Sequence, residues 1–286
     1  MLSYQHGYHA GNFADVIKHL TLSRILDYVT KKEKPIFYLE THAGKGFYDL
    51  KGSQSLKTGE YLQGIHLIWQ HKNQLSPLFS PYLQTIKRLN PSSNLRFYPG
   101  SPTLAIEMLR AQDRLYCCEL HPREFETLST LPHDEKRVFY SHSDGMVTLN
   151  ALLPPPERRG LIFIDPSYEI KNDYKTIPNT IKSAYKRFST GIFCLWYPLV
   201  DQSLHEKLLR GMNNIGAQST LRIEFNLNAT TTAGMTGCGL WIINPPFSLA
   251  EEMQDTLQQL KNLFNPGTSS FVIENNPKNG LSSGRL

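Results

Sequence analysis

The sequence predicts an α/β fold: a mostly parallel sheet with helices on both faces, a C-terminal antiparallel hairpin and an inserted helical subdomain. Three observations predict it. Short apolar, β-rich runs alternate with helical patterns through most of the chain. Two late strand candidates are joined by a Gly/Thr-rich loop with no helix between them. Between Lys51 and Asn94 the alternation breaks, and helical stretches marked by Gly, Pro and Ser take its place.

With 286 residues, 40% of them apolar, the chain can bury one substantial core. The expected organisation is an N-terminal part, 1–50, holding a lid segment, the first helix and the first strand; a helical insertion, 51–94; and the remainder of the same domain, 95–286. From Phe13 to Tyr28 the apolar residues Phe13, Val16, Ile17, Leu20, Leu22, Ile25 and Leu26 recur at helical spacing, so an amphipathic helix is expected, stopped before Pro35. The parallel strands are expected at Ile36–Glu40, Arg114–Glu119, Arg137–Ser141, Leu161–Ile164 and Gly191–Tyr197. Ser219–Leu227 and Gly239–Asn244 form the hairpin, expected to close the sheet edge; one helix and a polar tail follow.

Composition excludes several classes. No apolar run reaches the length of a membrane span, and Met1 to Asn12 lacks the apolar stretch of a signal peptide, so a cytoplasmic protein without a membrane partner is expected. The four cysteines form no Cys-x-x-Cys pair, and Cys117 and Cys118 sit inside a strand-like run; reduced core residues are expected. A net charge of +5 suits a polyanionic partner without specifying one.

The strongest chemical signal is the apolar strand Leu161–Ile164 running directly into Asp165-Pro166-Ser167-Tyr168. It resembles the Asp/Asn/Ser-Pro-Pro-aromatic motif of amino-methyltransferases. The amine lone pair of adenine is delocalised into the ring, which makes N6 a poor nucleophile. Two acceptors aimed at its N–H bonds, the Asp165 carboxylate and the Pro166 carbonyl, would favour a pyramidal nitrogen facing a methyl donor. Tyr168 could stack on an unstacked base. A plain strand-to-loop turn opened by Asp-Pro is the bland alternative. Asn244-Pro-Pro-Phe247 fits the motif better letter by letter. Too little chain follows it to supply the strands such a site needs, so it reads as a strand end.

The loop Glu40-Thr41-His42-Ala43-Gly44-Lys45-Gly46 follows the first strand, and its glycines allow backbone to approach a ligand. Gly46 stands where a nucleotide triphosphate loop needs Ser or Thr after the lysine, which argues against ATP hydrolysis. The next strand ends in Glu119, the usual position of a ribose-binding acid, and the one after leads into Ser143-Asp144-Gly145. Asp144 would accept the amine of the cofactor's adenine while Gly145 leaves room for its ring. Either acid could equally be a helix cap or a solvated group. The opening carries Tyr4, His6, Tyr8, His9, Asp15, Lys18 and His19, a dense set of hydrogen-bonding groups for a chain end. His6, His9, His19 and His42 have no familiar metal-ligand spacing with any carboxylate or Cys, so no metal is expected.

The opening Met-Leu-Ser-Tyr4 through Ala-Asp-Val-Ile-Lys18-His19, the Thr41-His42-Ala-Gly-x-Gly loop, Glu119-Leu-His-Pro and Asp165-Pro-x-Tyr-Glu169 together resemble the RlmJ family of bacterial ribosomal RNA adenine-N6 methyltransferases. The resemblance spans essentially the whole chain. It implies a Rossmann-like S-adenosylmethionine-dependent methyltransferase fold with a helical insertion, and a substrate in large-subunit (23S) ribosomal RNA, protein-free or early in assembly. It further implies cofactor contacts at His19, His42, Ser101, Glu119, Asp144 and Gly145 with Lys18 close by, and Asp165 as catalytic carboxylate that also borders the cofactor. Tyr4 is implied to act at the target base, on a segment that closes over the cofactor. The family's usual second Pro is Ser167 here, though both acceptors and the aromatic ring remain. Two other readings stay open: a DNA adenine-N6 methyltransferase, connected through some relatives with use of external DNA, and a noncatalytic nucleic-acid-binding protein on the same fold.

Overall fold

The structure is a computed structural model that describes residues 4–227 and 235–276. The Gly/Thr-rich loop of the expected hairpin and the opening Met-Leu-Ser lie outside the described residues.

Helix α1 (Phe13–Thr30) opens at Asn12, whose side chain accepts the Asp15 amide at 2.9 Å. It is followed by β1 (Phe37–Glu40) and β2 (Phe47–Asp49), then by α2 (Ser53–Thr58), α3 (Ile65–His71) and α4 (Ser80–Leu89). Next come β3 (Phe97–Pro99), α5 (Ser101–Met108), β4 (Arg114–Cys118), α6 (Pro122–Leu128), β5 (Val138–Ser141), α7 (Gly145–Leu152) and β6 (Gly160–Ile164). The chain continues through α8 (Asp173–Arg187), β7 (Ile192–Leu199), α9 (Gln202–Asn213), β8 (Thr220–Asn226), β9 (Gly237–Ile243), α10 (Leu249–Phe264) and β10 (Ser270–Asn275).

Eight strands form one sheet in the order β10-β8-β9-β7-β6-β1-β4-β5. Strands β5, β4, β1, β6 and β7 are parallel, as the alternation with helices requires. Alternate residues of β1 serve two cores. Tyr38 joins the core beneath α1, whereas Phe37 and Leu39 join the one beneath α8 and α9. Strand order reverses at β1, which lies between β4 and β6, and there open α/β sheets place their ligands, beyond the carboxyl ends of the strands.

Two expectations change. The helix Phe13–Thr30 is not amphipathic in the usual sense, because its polar residues Asp15, Lys18, His19 and Arg24 are buried along with its apolar ones. It packs against α4, α5 and α10, so no face is left for water. The hairpin does not close the sheet edge: β9 inserts between β7 and β8, and β10, in the stretch read as a polar tail, is the edge strand. The stretch around Lys51–Asn94 holds α2, α3 and α4, and it is flanked by a two-stranded antiparallel ladder of β2 and β3 that pairs Tyr48 with Tyr98.

The cysteines are free and buried. No helix among the described residues is long and apolar enough to cross a membrane.

Strand β9 runs against β7, so its exit lies at the opposite end of the sheet from Asp165. There Asn244 adopts a left-handed φ of 53° and donates through Nδ2 to the carbonyls of Ser189 and Gly191, both at 2.8 Å. It is a strand end, as read from its place in the chain. Asn244→Ala should lower the unfolding free energy by about 1–2 kcal/mol in urea denaturation, from the lost hydrogen bonds and the strained φ. An unchanged midpoint would contradict this role.

Candidate active site

The carboxyl ends of β1, β4, β5 and β6 bring together residues far apart in sequence. Glu40 ends β1 and is fully buried. Its carboxyl accepts hydrogen bonds from the Ser101 hydroxyl and, at 2.9 Å, from Tyr38. Burial pushes its pKa up to about 8 against those two hydrogen bonds. Thr41 Oγ1 meets His42 Nδ1 at 2.7 Å, and burial lowers the His42 pKa. Gly44, at φ 60°, lets the loop turn back so that its amide donates to Glu119 Oε2 at 2.7 Å. Glu119 also accepts the His121 amide at 2.7 Å, so the carboxylate at the end of β4 is held from two sides.

Asp144 both caps α7 and lines the cavity. Its Oδ1 accepts the amides of Met146 at 2.8 Å and Val147 at 3.2 Å. Gly145 lines the cavity and has a packing role as well: a Cβ there would stand 2.0 Å from the Thr41 carbonyl oxygen. The glycine therefore lets α7 pack on the β1 loop. His19 Nδ1 meets the Tyr98 hydroxyl at 2.8 Å, and Tyr98 meets Tyr82 at 3.0 Å, which ties α1 to β3 and α4. Burial takes the His19 pKa down to about 3, so the ring is neutral.

Asp165 follows β6 and is paired with a residue of α1. Lys18 Nζ lies 2.6 Å from Asp165 Oδ2 and 2.8 Å from Asp15 Oδ1. Burial alone would discharge Lys18, but the two carboxylates outweigh it and raise its pKa. Burial opposes the Asp15 charge as well, yet His6 and Lys18 hold its pKa well below the usual carboxylate range. Asp15 Oδ2 accepts from the Gly11 amide at 2.9 Å and lies 2.8 Å from His6 Nε2. His6 Nδ1 meets the Tyr4 hydroxyl at 2.9 Å. The Tyr4 amide donates to Glu169 at 3.1 Å, and its ring stacks on His9 with centroids 5.8 Å apart. The four early histidines thus have separate partners: Asp15, Glu60, Tyr98 and Thr41.

Two adjoining cavities share a wall made of Tyr4, His6, Lys18, Asp165, Pro166 and Ser167. The first, of about 410 Å³, runs over the glycine loop and includes His19, His42, Gly44, Ser101, Glu119, Asp144 and Gly145. The second, of about 510 Å³, is bounded by Asn12, Glu60, Gln63, Tyr168, Tyr174 and Trp196. Every site residue expected from the sequence lines one or both. Tyr168 is less free than expected, with φ 53°, its ring packed on Tyr174 at 4.5 Å and its hydroxyl donating to the Trp196 carbonyl at 3.1 Å. It is a fixed wall. Tyr4 is the more exposed residue of the two, although its hydroxyl is turned to His6.

Sequence reasoning assigned no role to Asp15, which holds Lys18, or to Glu40, which holds Ser101. The Asp15–Lys18 spacing of three residues was the available signal for the first.

A family model described as "Ribosomal RNA large subunit methyltransferase D, RlmJ" matches residues 33–274. The chain belongs to the RlmJ family. Proteins named "Ribosomal RNA large subunit methyltransferase J" from Haemophilus influenzae and Escherichia coli are each 42% identical to it, over 277 and 275 residues, covering 96% of this chain and 98% of each relative. A Legionella pneumophila crystal structure superposes with a TM-score of 0.89 at 56% identity, over 93% of this chain and 98% of that one. A probable spermidine synthase from Corynebacterium glutamicum, 10% identical with a TM-score of 0.50 over 94% of this chain and 77% of its own, shares the fold alone.

The raised Glu40 pKa carries a pH signature. Between its ordinary value of 4.5 and about 8 the folded state keeps a proton that the unfolded state has released. Stability from this group is thus complete below the lower value and lost as pH rises through the upper one. In urea denaturation at pH about 5 and about 9, Glu40→Gln should gain on the wild type at the higher pH. A stability difference that does not change with pH would contradict the assignment.

Proposed function

We propose that the chain transfers a methyl group from S-adenosylmethionine to N6 of an adenine in large-subunit (23S) ribosomal RNA. The observation that carries this reading is the placement of Asp165-Pro166 at the exit of β6, in the wall between two cavities. One cavity suits a donor and the other an acceptor.

The residues of the first cavity fit the donor. Glu119 and Asp144 stand in order at the ends of neighbouring parallel strands to accept from ribose hydroxyls and from the adenine amine. Met146, Ile170 and Ile177 offer apolar surface to a ring. His19, His42 and Ser101, with Lys18 close by, line the remaining part, where the methionyl group would be held. S-adenosylmethionine, when bound, supplies an electrophilic methyl group on a sulfonium.

On the acceptor side, the Asp165 carboxylate and the Pro166 carbonyl take the two N–H bonds of the adenine amine and favour a lone pair directed at the donor. Lys18 fixes Oδ2 of Asp165, so that the carboxylate does not swing away. The amine gains a methyl and sheds a proton, to Asp165 or to water. Tyr168 and Tyr174 form one wall of the base site, and Tyr4, on the lid segment, lines the same cavity. The recessed cavity requires an adenine unstacked from its neighbours, which suits RNA that is protein-free or early in assembly. The segment 1–50 acts as lid, helix and strand, and 51–94 as an insertion that adds Glu60 and Gln63 to the acceptor wall.

Asp165→Ala should reduce methyl transfer to protein-free 23S ribosomal RNA at least about 10³-fold. Its binding of S-adenosylmethionine in calorimetry should stay close to wild type, because Glu119 and Asp144 at the far part of the donor cavity are untouched. Full activity in that variant, or transfer by the wild type to DNA alone, would overturn the reading.

A further inference from the structure

We infer that Asp15 is a positioning residue for methyl transfer, joining the N-terminal segment to the Lys18–Asp165 pair so that the two take up their working positions together. The inference rests on the function proposed above and deepens it.

Asp15 is 2% exposed and sits in the first turn of α1. Its two oxygens face different partners. Oδ1 holds Lys18, whose ammonium also reaches Asp165. Oδ2 holds the segment at two points, the Gly11 amide and His6 Nε2. With the His6 proton on Nε2, its Nδ1 accepts from the Tyr4 hydroxyl. A continuous chain of contacts results: Tyr4, His6, Asp15, Lys18, Asp165. Its two ends both lie in the wall shared by the donor and acceptor cavities.

The charges give the chain its direction. Lys18 is buried with a carboxylate on each side and cannot be left with an incomplete set of partners without large cost. Removing the Asp15 charge leaves the ammonium to Asp165 alone. It would then draw Oδ2 of Asp165 toward α1 and away from the substrate amine. The same change loosens His6, and with it the Tyr4 ring. A merely structural aspartate would instead weaken the fold and both cavities together.

The test is single-turnover methylation of 23S ribosomal RNA, with calorimetric binding of S-adenosylmethionine and thermal melting measured on each variant. Asp15→Asn should lower the rate of transfer about 10²-fold, the scale of an angstrom's misplacement. Cofactor affinity should stay close to wild type. Asp15→Glu restores the charge one methylene away and should fall between the two. The deciding comparison is a cycle with Lys18→Met: because Asp15 acts in part through Lys18, the double variant should lose clearly less than the product of the two single losses. Multiplying losses, or Asp15→Asn at the wild-type rate, would overturn the inference. If Asp15→Asn does not fold, Asp15→Glu enters the cycle in its place. A wild type that fails to methylate RNA would defeat the proposed function instead, so the two failures are distinct.

Discussion

The architecture of the site depends on one buried ammonium. Lys18 emerges from the first helix into a space walled by protein and is neutralised by Asp15 from its own helix and Asp165 from the sheet. Breaking such a pair costs about 3–5 kcal/mol, because it strands a charge out of water. The helix that carries Lys18 must therefore lie against the carboxyl end of β6, and the polar side of that helix must go inward. The same constraint brings the chain's opening residues over the sheet: Asp15 faces His6 as well as Lys18, and Tyr4 follows His6.

Around this point the sheet topology does most of the placing. Parallel strands deliver the residues that follow them to one edge, so Thr41, Glu119, Asp144 and Asp165 meet although they span much of the chain. The antiparallel strand β9 delivers its last residues to the other edge. Two motifs that look alike as letters, Asp165-Pro-Ser-Tyr and Asn244-Pro-Pro-Phe, thus end on opposite sides of the molecule, and the second becomes a backbone clasp. The helices between β2 and β3 reach the site through hydroxyl contacts: Tyr82 holds Tyr98, and Tyr98 holds a neutral His19.

What was legible in the sequence is what local pattern encodes. Each parallel strand announced itself as a short apolar run, and each ligand loop as the small or acidic residues after it, because those signals need no knowledge of distant partners. The family resemblance added Tyr4, His19, His42 and Ser101, which no spacing rule would have singled out. What stayed hidden depends on non-local packing. The apolar spacing of α1 looks amphipathic in isolation, and only the opening segment and the exit of β6 give buried Asp15 and Lys18 their partners. Strands β2, β3 and β10 are short or half-exposed and are defined by their pairing. That Tyr174 and the Trp196 carbonyl hold the Tyr168 ring in place was likewise invisible in the sequence.

The most direct test of the central claim is a crystal structure of the protein with sinefungin, an unreactive analogue of the donor, and an adenine-containing fragment of its ribosomal RNA. The account predicts the target N6 within hydrogen-bonding distance of both the Asp165 carboxylate and the Pro166 carbonyl, with Lys18 still on Oδ2 and the analogue's transferable end on the other side of that wall. An adenine seated elsewhere, or Asp165 turned away from it with the analogue in place, would contradict it.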